Sequence, residues 1–105
     1  MTRLEQLNAM LKESPNDSFL LFAIAKEYEK INSWERAIQF YEKVVENDSN
    51  YVGVYYHLGA VQAELGNTDL AMSTYKKGIQ ICKALGDHHA LSELKSVLMN
   101  LEIED

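Results

Sequence analysis

Cys82, Asp87, His88 and His89 are the residues whose types and closeness in sequence could do chemistry. Thiolate, imidazole and carboxylate are the usual zinc ligands, but structural zinc sites take them as spaced pairs. Adjacent helical residues point about 100° apart, so His88 and His89 do not readily meet one ion. The pair reads instead as a solvated helix start. Cys82 falls within an apolar stripe, and a thiol buried in apolar surroundings is inert. His57 stands alone. Glu42, Glu46, Asp48 and Glu64 are spread over solvent faces, and no glycine-rich phosphate loop, Gly-x-Ser-x-Gly elbow or His-Glu-x-x-His motif occurs. The expectation is a chain without catalytic residues, metal site or cofactor, and therefore not an enzyme.

Charge narrows the partners. Lys and Arg number 10 against 16 Asp and Glu, a net charge of −6. The basic residues are scattered, whereas binding a nucleic-acid backbone needs them clustered, so no DNA or RNA partner is expected. With one cysteine no internal disulfide forms, and nothing calls for an oxidising compartment. Met1-Thr2-Arg3-Leu4-Glu5-Gln6 lacks the apolar core of a signal peptide, and no run approaches the roughly 18 apolar residues of a membrane span. A soluble cytoplasmic protein without membrane contact is the expectation. At 105 residues it forms one small domain or one short repeat array.

The elements that would position any site are helices, because Pro15 is the only proline and glycines are few. Leu4, Leu7, Met10 and Leu11 recur at helical spacing in a first helix over 2–13. Ser14-Pro15-Asn16-Asp17 stops it and caps the next. The second helix, 17–31, places Leu21, Ile24, Ala25, Tyr28 and Ile31 on one face. After Asn32-Ser33, with Ser33 as cap, the third helix (34–46) buries Ala37, Ile38, Tyr41, Val44 and Val45. The fourth, 51–65, carries Tyr55, Leu58, Gly59 and Leu65 and closes on Gly66. The fifth, 68–85, carries Ala71, Met72, Tyr75, Ile79 and Cys82. In the sixth, capped by Asp87, Leu91, Leu94, Leu98 and Leu101 form one stripe, with Ser92, Glu93, Lys95 and Ser96 opposite. Glu102, Glu104 and Asp105 make a short acidic tail, read as solvated.

A shift of 34 residues superimposes the second and third helices on the fourth and fifth. Identity is confined to Ala37/Ala71, Tyr41/Tyr75 and Lys43/Lys77, but residue class persists. Leu21/Tyr55, Ile24/Leu58, Ala25/Gly59, Ile31/Leu65, Ile38/Met72 and Val45/Ile79 keep their packing type. Small residues at 25, 37, 59 and 71 let paired helices cross closely, and Tyr41 and Tyr75 fill the space beside them. A period of 34 with two helices per unit resembles the tetratricopeptide repeat family. The resemblance covers residues 3–101. Leu21 and Tyr55 stand where that family often has Trp, Ser49 and Lys83 where it has Pro, and Gln62 where Tyr28 leads one to expect an aromatic. Gly78 replaces the usual Ala, weakening its helix by roughly 0.5–1 kcal/mol.

The resemblance implies an all-α, right-handed antiparallel helix-turn-helix stack of about six helices in a single domain. Residues 1–16 are a half-repeat, 17–50 repeat one, 51–85 repeat two, and 86–105 a capping helix and tail. It also implies a concave groove lined by the first helix of each repeat. Carried over by position, that surface comprises Phe19, Phe22, Lys26, Glu29 and Lys30, then Gly53, Tyr56, His57, Ala60, Ala63 and Glu64. Phe19, Phe22 and Tyr56 are not claimed by the packing pattern, so they either anchor a peptide or helix or are covered by a terminal helix. Members that clamp the carboxylate of heat-shock chaperones use Lys or Arg and Asn there. Phe22, Lys26, Tyr56 and Ala60 do not reproduce that set, so a chaperone-tail receptor is not expected. The expected function is a non-catalytic protein-interaction module with a protein or peptide partner. The alternative is a self-associating structural repeat, a homo-oligomer formed through a terminal helix or an edge of the stack.

Overall fold

The computed structural model describes residues 1–104, so Asp105 of the acidic tail lies outside the described residues. Six helices and, among the described residues, no strands make up the chain. They are α1 (Arg3–Glu13), α2 (Ser18–Lys30), α3 (Trp34–Asn47), α4 (Gly53–Glu64), α5 (Thr68–Leu85) and α6 (His88–Glu104). The chain divides after Tyr51 into two compact units, one holding α1 to α3 and the other α4 to α6. The fold is the all-α, tetratricopeptide-like arrangement expected from the period of 34.

Local chemistry starts and stops the helices. Thr2 and Glu5 form a reciprocal capping box, with Glu5 N–H donating to Thr2 Oγ1 at 3.1 Å and Thr2 N–H donating to Glu5 Oε1 at 3.2 Å. Asp17 Oδ1 accepts from Leu20 N–H, and Asp87 Oδ1 from Ala90 N–H, both at 3.1 Å. Ser33 occupies the cap position of α3 without a side-chain hydrogen bond; only its carbonyl takes part, accepting from Ala37 N–H. Gly66 and Gly86 turn the chain out of α4 and α5 at φ 82° and 72°. Asn32, 34 residues before Gly66, does the same at φ 59°, a conformation Asn tolerates better than most side chains.

In the first unit α2 packs on α3 and α1 on α2. Leu7, Leu20, Ala23 and Ile24 form a cluster, with Leu4, Leu11, Tyr28 and Phe40 packed against it. Ala25, Ala37 and Tyr41 are fully buried. Each buried Leu, Val or Ile contributes about 1.5–3 kcal/mol, which matters because helices this short are marginal alone. In the second unit α5 packs against both α4 and α6. Two glycines make that packing possible. A Cβ on Gly59 would overlap the Tyr75 ring, and one on Gly78 would lie 2.6 Å from Tyr55 Cβ and 2.9 Å from Leu94 Cδ1.

Gly78 therefore corrects the sequence reading. It is a close-approach site rather than a simple weakness in α5. Ile31 and Leu65 are a second correction: expected on packing faces, both are exposed, Ile31 at 66%. Each is the C-cap of its helix, with ψ of 15° and 1°, so the helical period no longer carries its side chain inward. Met10 of α1 is also exposed. Helix α4 begins at Gly53 rather than at residue 51, which leaves Tyr51 in the first unit beside Phe22.

Candidate functional site

Helix α2 supplies the first candidate surface. Its Asp17 cap fixes the start, and Leu20, Leu21, Ile24 and Ala25 take the buried face. Phe19, Phe22, Lys26 and Lys30 recur at three- and four-residue spacing on another face, so one helix turn aligns them. They line a single recess of about 370 Å³ together with Arg3, Ala23 and Glu27. Phe19 is 63% exposed. Phe22 is half-buried, its ring centroid 5.7 Å from that of Tyr41 and 5.1 Å from that of Tyr51.

The recess is basic around an aromatic floor. Glu27 Oε2 lies 3.5 Å from Arg3 Nε and 3.2 Å from Lys30 Nζ, tying α1 to α2. Lys26 Nζ stands 5.7 Å from the Phe22 ring centroid, within cation–π range. Three cations thus face one carboxylate, in a chain whose net charge is −6. Glu29, assigned to the groove by position, is not among the residues lining this recess; its Oε1 accepts a 2.7 Å hydrogen bond from the Tyr41 hydroxyl.

The second unit presents α4 beside α6. Tyr56 is 39% exposed and lines a recess of about 350 Å³ with His89, Ser92, Glu93, Ser96 and Val97 of α6. The His57 ring is half-buried and meets Tyr56 edge-on, centroids 5.6 Å apart. Ala60 lines a separate recess of about 380 Å³ with Ala63, Glu64, Thr68, Leu101 and Glu104. Phe19, Phe22, Lys26 and Lys30 are therefore brought together. Tyr56 and Ala60 lie in neighbouring depressions, each walled by α6.

Several wall residues escape sequence reasoning. Arg3 and Glu27 are 24 positions apart, so no helical spacing pairs them, whereas Lys30 and Glu27 fall at the readable i, i+3 interval. Ser92, Glu93 and Ser96 were legible only as a solvent face. Nothing in their types says that this face borders Tyr56.

Burial is the leading cause of the shifts among the buried titrating groups. Burial first, then the hydrogen bond and charge of Glu29, push the Tyr41 phenol far up. Burial, and next the neighbouring Tyr56, raise Tyr75. The Cys82 thiol is fully buried, and that burial, with the Asp87 charge behind it, raises it as well. A raised thiol is a poor nucleophile. His89 Nε2 lies 3.3 Å from Glu93 Oε1 on exposed α6. Among the described residues no three His, Cys, Asp or Glu side chains gather to hold a metal ion, and no helix is long and apolar enough to cross a membrane.

Comparison with known proteins agrees with the architecture. A family model described as TPR repeat matches residues 25–66, and one described as tetratricopeptide repeat matches residues 52–85. A TPR repeat-containing protein of Pseudomonas aeruginosa is 26% identical over 99 residues, 94% of each chain. The solution structure of a tetratricopeptide repeat domain protein from Salinibacter ruber is 38% identical, with a TM-score of 0.82 over 87% of this chain and 92% of that one. The TPR2B domain of yeast Sti1, in a complex with pHsp70, superposes with a TM-score of 0.90 at 19% identity, covering 97% of this chain and 82% of that one.

Proposed function

As the chain belongs to the tetratricopeptide repeat family, we propose that it is a non-catalytic protein-interaction module that binds a peptide or helix. The observation that carries this reading is the α2 recess. It sets an aromatic side chain, 63% exposed, beside a second one and three cations in one depression. Aromatic anchors in a depression are also what concentrates binding energy in protein interfaces.

Phe19 and Phe22 supply the apolar contact in the first unit, and Lys26 and Lys30 set the preferred charge of the ligand. Tyr56, His57 and Ala60 serve the same purpose in the second unit, with α6 as the opposite wall. The fold relative Sti1 TPR2B is seen with pHsp70. The residues here differ in kind from a carboxylate-clamping set, so a different peptide class is proposed. The cytoplasm remains the proposed compartment, in keeping with a chain that has a single cysteine.

The test pairs Phe19→Ala with Tyr56→Ala. Both side chains are exposed, so binding can fall while the thermal midpoint holds. If the midpoint falls with binding, these aromatics serve the core and the reading fails.

A further inference from the structure

We propose that the α2 recess receives the acidic, apolar end of α6 from a second copy of this chain. The proposal rests on reading that recess as a binding surface, and it names the occupant.

Two features of the molecule complement each other in charge and in apolar character. The recess sets Phe19 and Phe22 among Arg3, Lys26 and Lys30, with Glu27 as its single carboxylate. Among the described residues, the ion pairs at this recess join Glu27 to Arg3 and to Lys30, while Lys26 stands over the Phe22 ring. The end of α6 is the opposite. Ile103 is 74% exposed, and Glu102 and Glu104 beside it are exposed too. No basic residue occupies the last turn.

The geometry suits the match. Residues adjacent on a helix project about 100° apart, so Glu102 and Glu104 flank Ile103 on either side. Lys26 and Lys30 are four residues apart, one turn along α2, at a separation of roughly 6 Å along the axis. An isoleucine against the two phenylalanines then leaves a carboxylate near each lysine. Two chains of net charge −6 repel at long range, and the contact is small, so the association is weak and transient. Its local attraction is screened by salt. Because one end meets a different surface on its partner, the contact is head-to-tail rather than self-complementary.

Sedimentation and amide NMR spectra of the full chain, over a concentration series from micromolar to millimolar, test this directly. Association should grow with concentration, with shifts concentrated at Phe19, Phe22, Lys26 and Ile103. Lys26→Glu and Glu104→Lys should each weaken it roughly tenfold. An equimolar mixture of the two variants should restore it, since the reversed recess of one meets the reversed tail of the other. All these positions are exposed, and Ile103→Ser gives an uncharged control that should also abolish association. A monomer at every concentration overturns the proposal, as does association indifferent to these substitutions. Concentration-independent shifts at Phe19 that vanish in Ile103→Ser overturn it too, because the tail then occupies its own recess. If self-association is absent while Phe19→Ala still loses an external protein, only this inference falls. If Phe19→Ala changes neither, the recess reading itself falls.

Discussion

The Thr74 hydroxyl donates a 2.6 Å hydrogen bond to Gln62 Oε1 at the two positions where, 34 residues earlier, Tyr28 and Phe40 stack with ring centroids 5.6 Å apart. The repeat conserves a bridge between its two helices while exchanging its chemistry. Gln62 is buried, and among the described residues no buried side-chain polar atom lacks a partner. The missing aromatic at residue 62 is thus compensated within its own repeat.

Thr74→Val should cost about 1–3 kcal/mol, because it leaves the buried Gln62 amide without its donor. Thr74→Ser keeps the hydroxyl and should cost clearly less. Urea denaturation of the two variants, read at constant slope, measures the difference. Equal costs would show that the threonine methyl, rather than its hydroxyl, is what matters.

Gly78→Ala sets two effects against each other. Helix propensity alone favours alanine by roughly 0.8–1.0 kcal/mol. The new Cβ, however, would stand 2.6 Å from Tyr55 Cβ, an atom fixed to its backbone. Overpacking of this kind costs about 1–3 kcal/mol, so the variant should be destabilised. A raised thermal midpoint would mean that α4 shifts freely and that the close approach is not needed.

Much of this architecture is legible in the amino-acid sequence. The period of 34 placed both helix pairs, and Asp17, Gly66 and Asp87 marked ends that match their capping geometry. Helix ends themselves were less readable, since Ile31 and Leu65 continue an apolar period through residues that have already left the helix. Phe19, Phe22, Lys26 and Lys30 share a recess because one helix spaces them. Arg3 joins them only through tertiary packing, which no local pattern encodes. The role of Gly78 was hidden for the same reason. Propensity sees its own helix, and the reason for glycine lies on Tyr55 and Leu94.

Alkaline pH should unfold the protein through its tyrosines. Burial raises Tyr41, Tyr75 and Tyr51 in the folded state above the ordinary phenol value of about 10. A folded-state value above the unfolded one means that stability is fully present below about pH 10 and is lost as pH rises toward the folded values. Each such phenol steepens the loss by up to about 1.4 kcal/mol per pH unit. Tyr41→Phe should lower stability at neutral pH by removing the bond to Glu29, yet flatten the decline above pH 10 or so. An unchanged alkaline slope would show that Tyr41 does not resist ionisation in the folded state.

The central claim is that exposed aromatics on α2 and α4 bind a protein, and Phe19→Ala with Tyr56→Ala tests it most directly. Their removal from the surface should change stability by no more than about 0.5 kcal/mol, a thermal shift of roughly 2–4 °C. Loss of hot-spot contacts should weaken partner binding by about 2 kcal/mol or more, roughly thirtyfold. Binding lost at a held midpoint is the result this account requires. Binding unchanged, or lost only together with the fold, would contradict it.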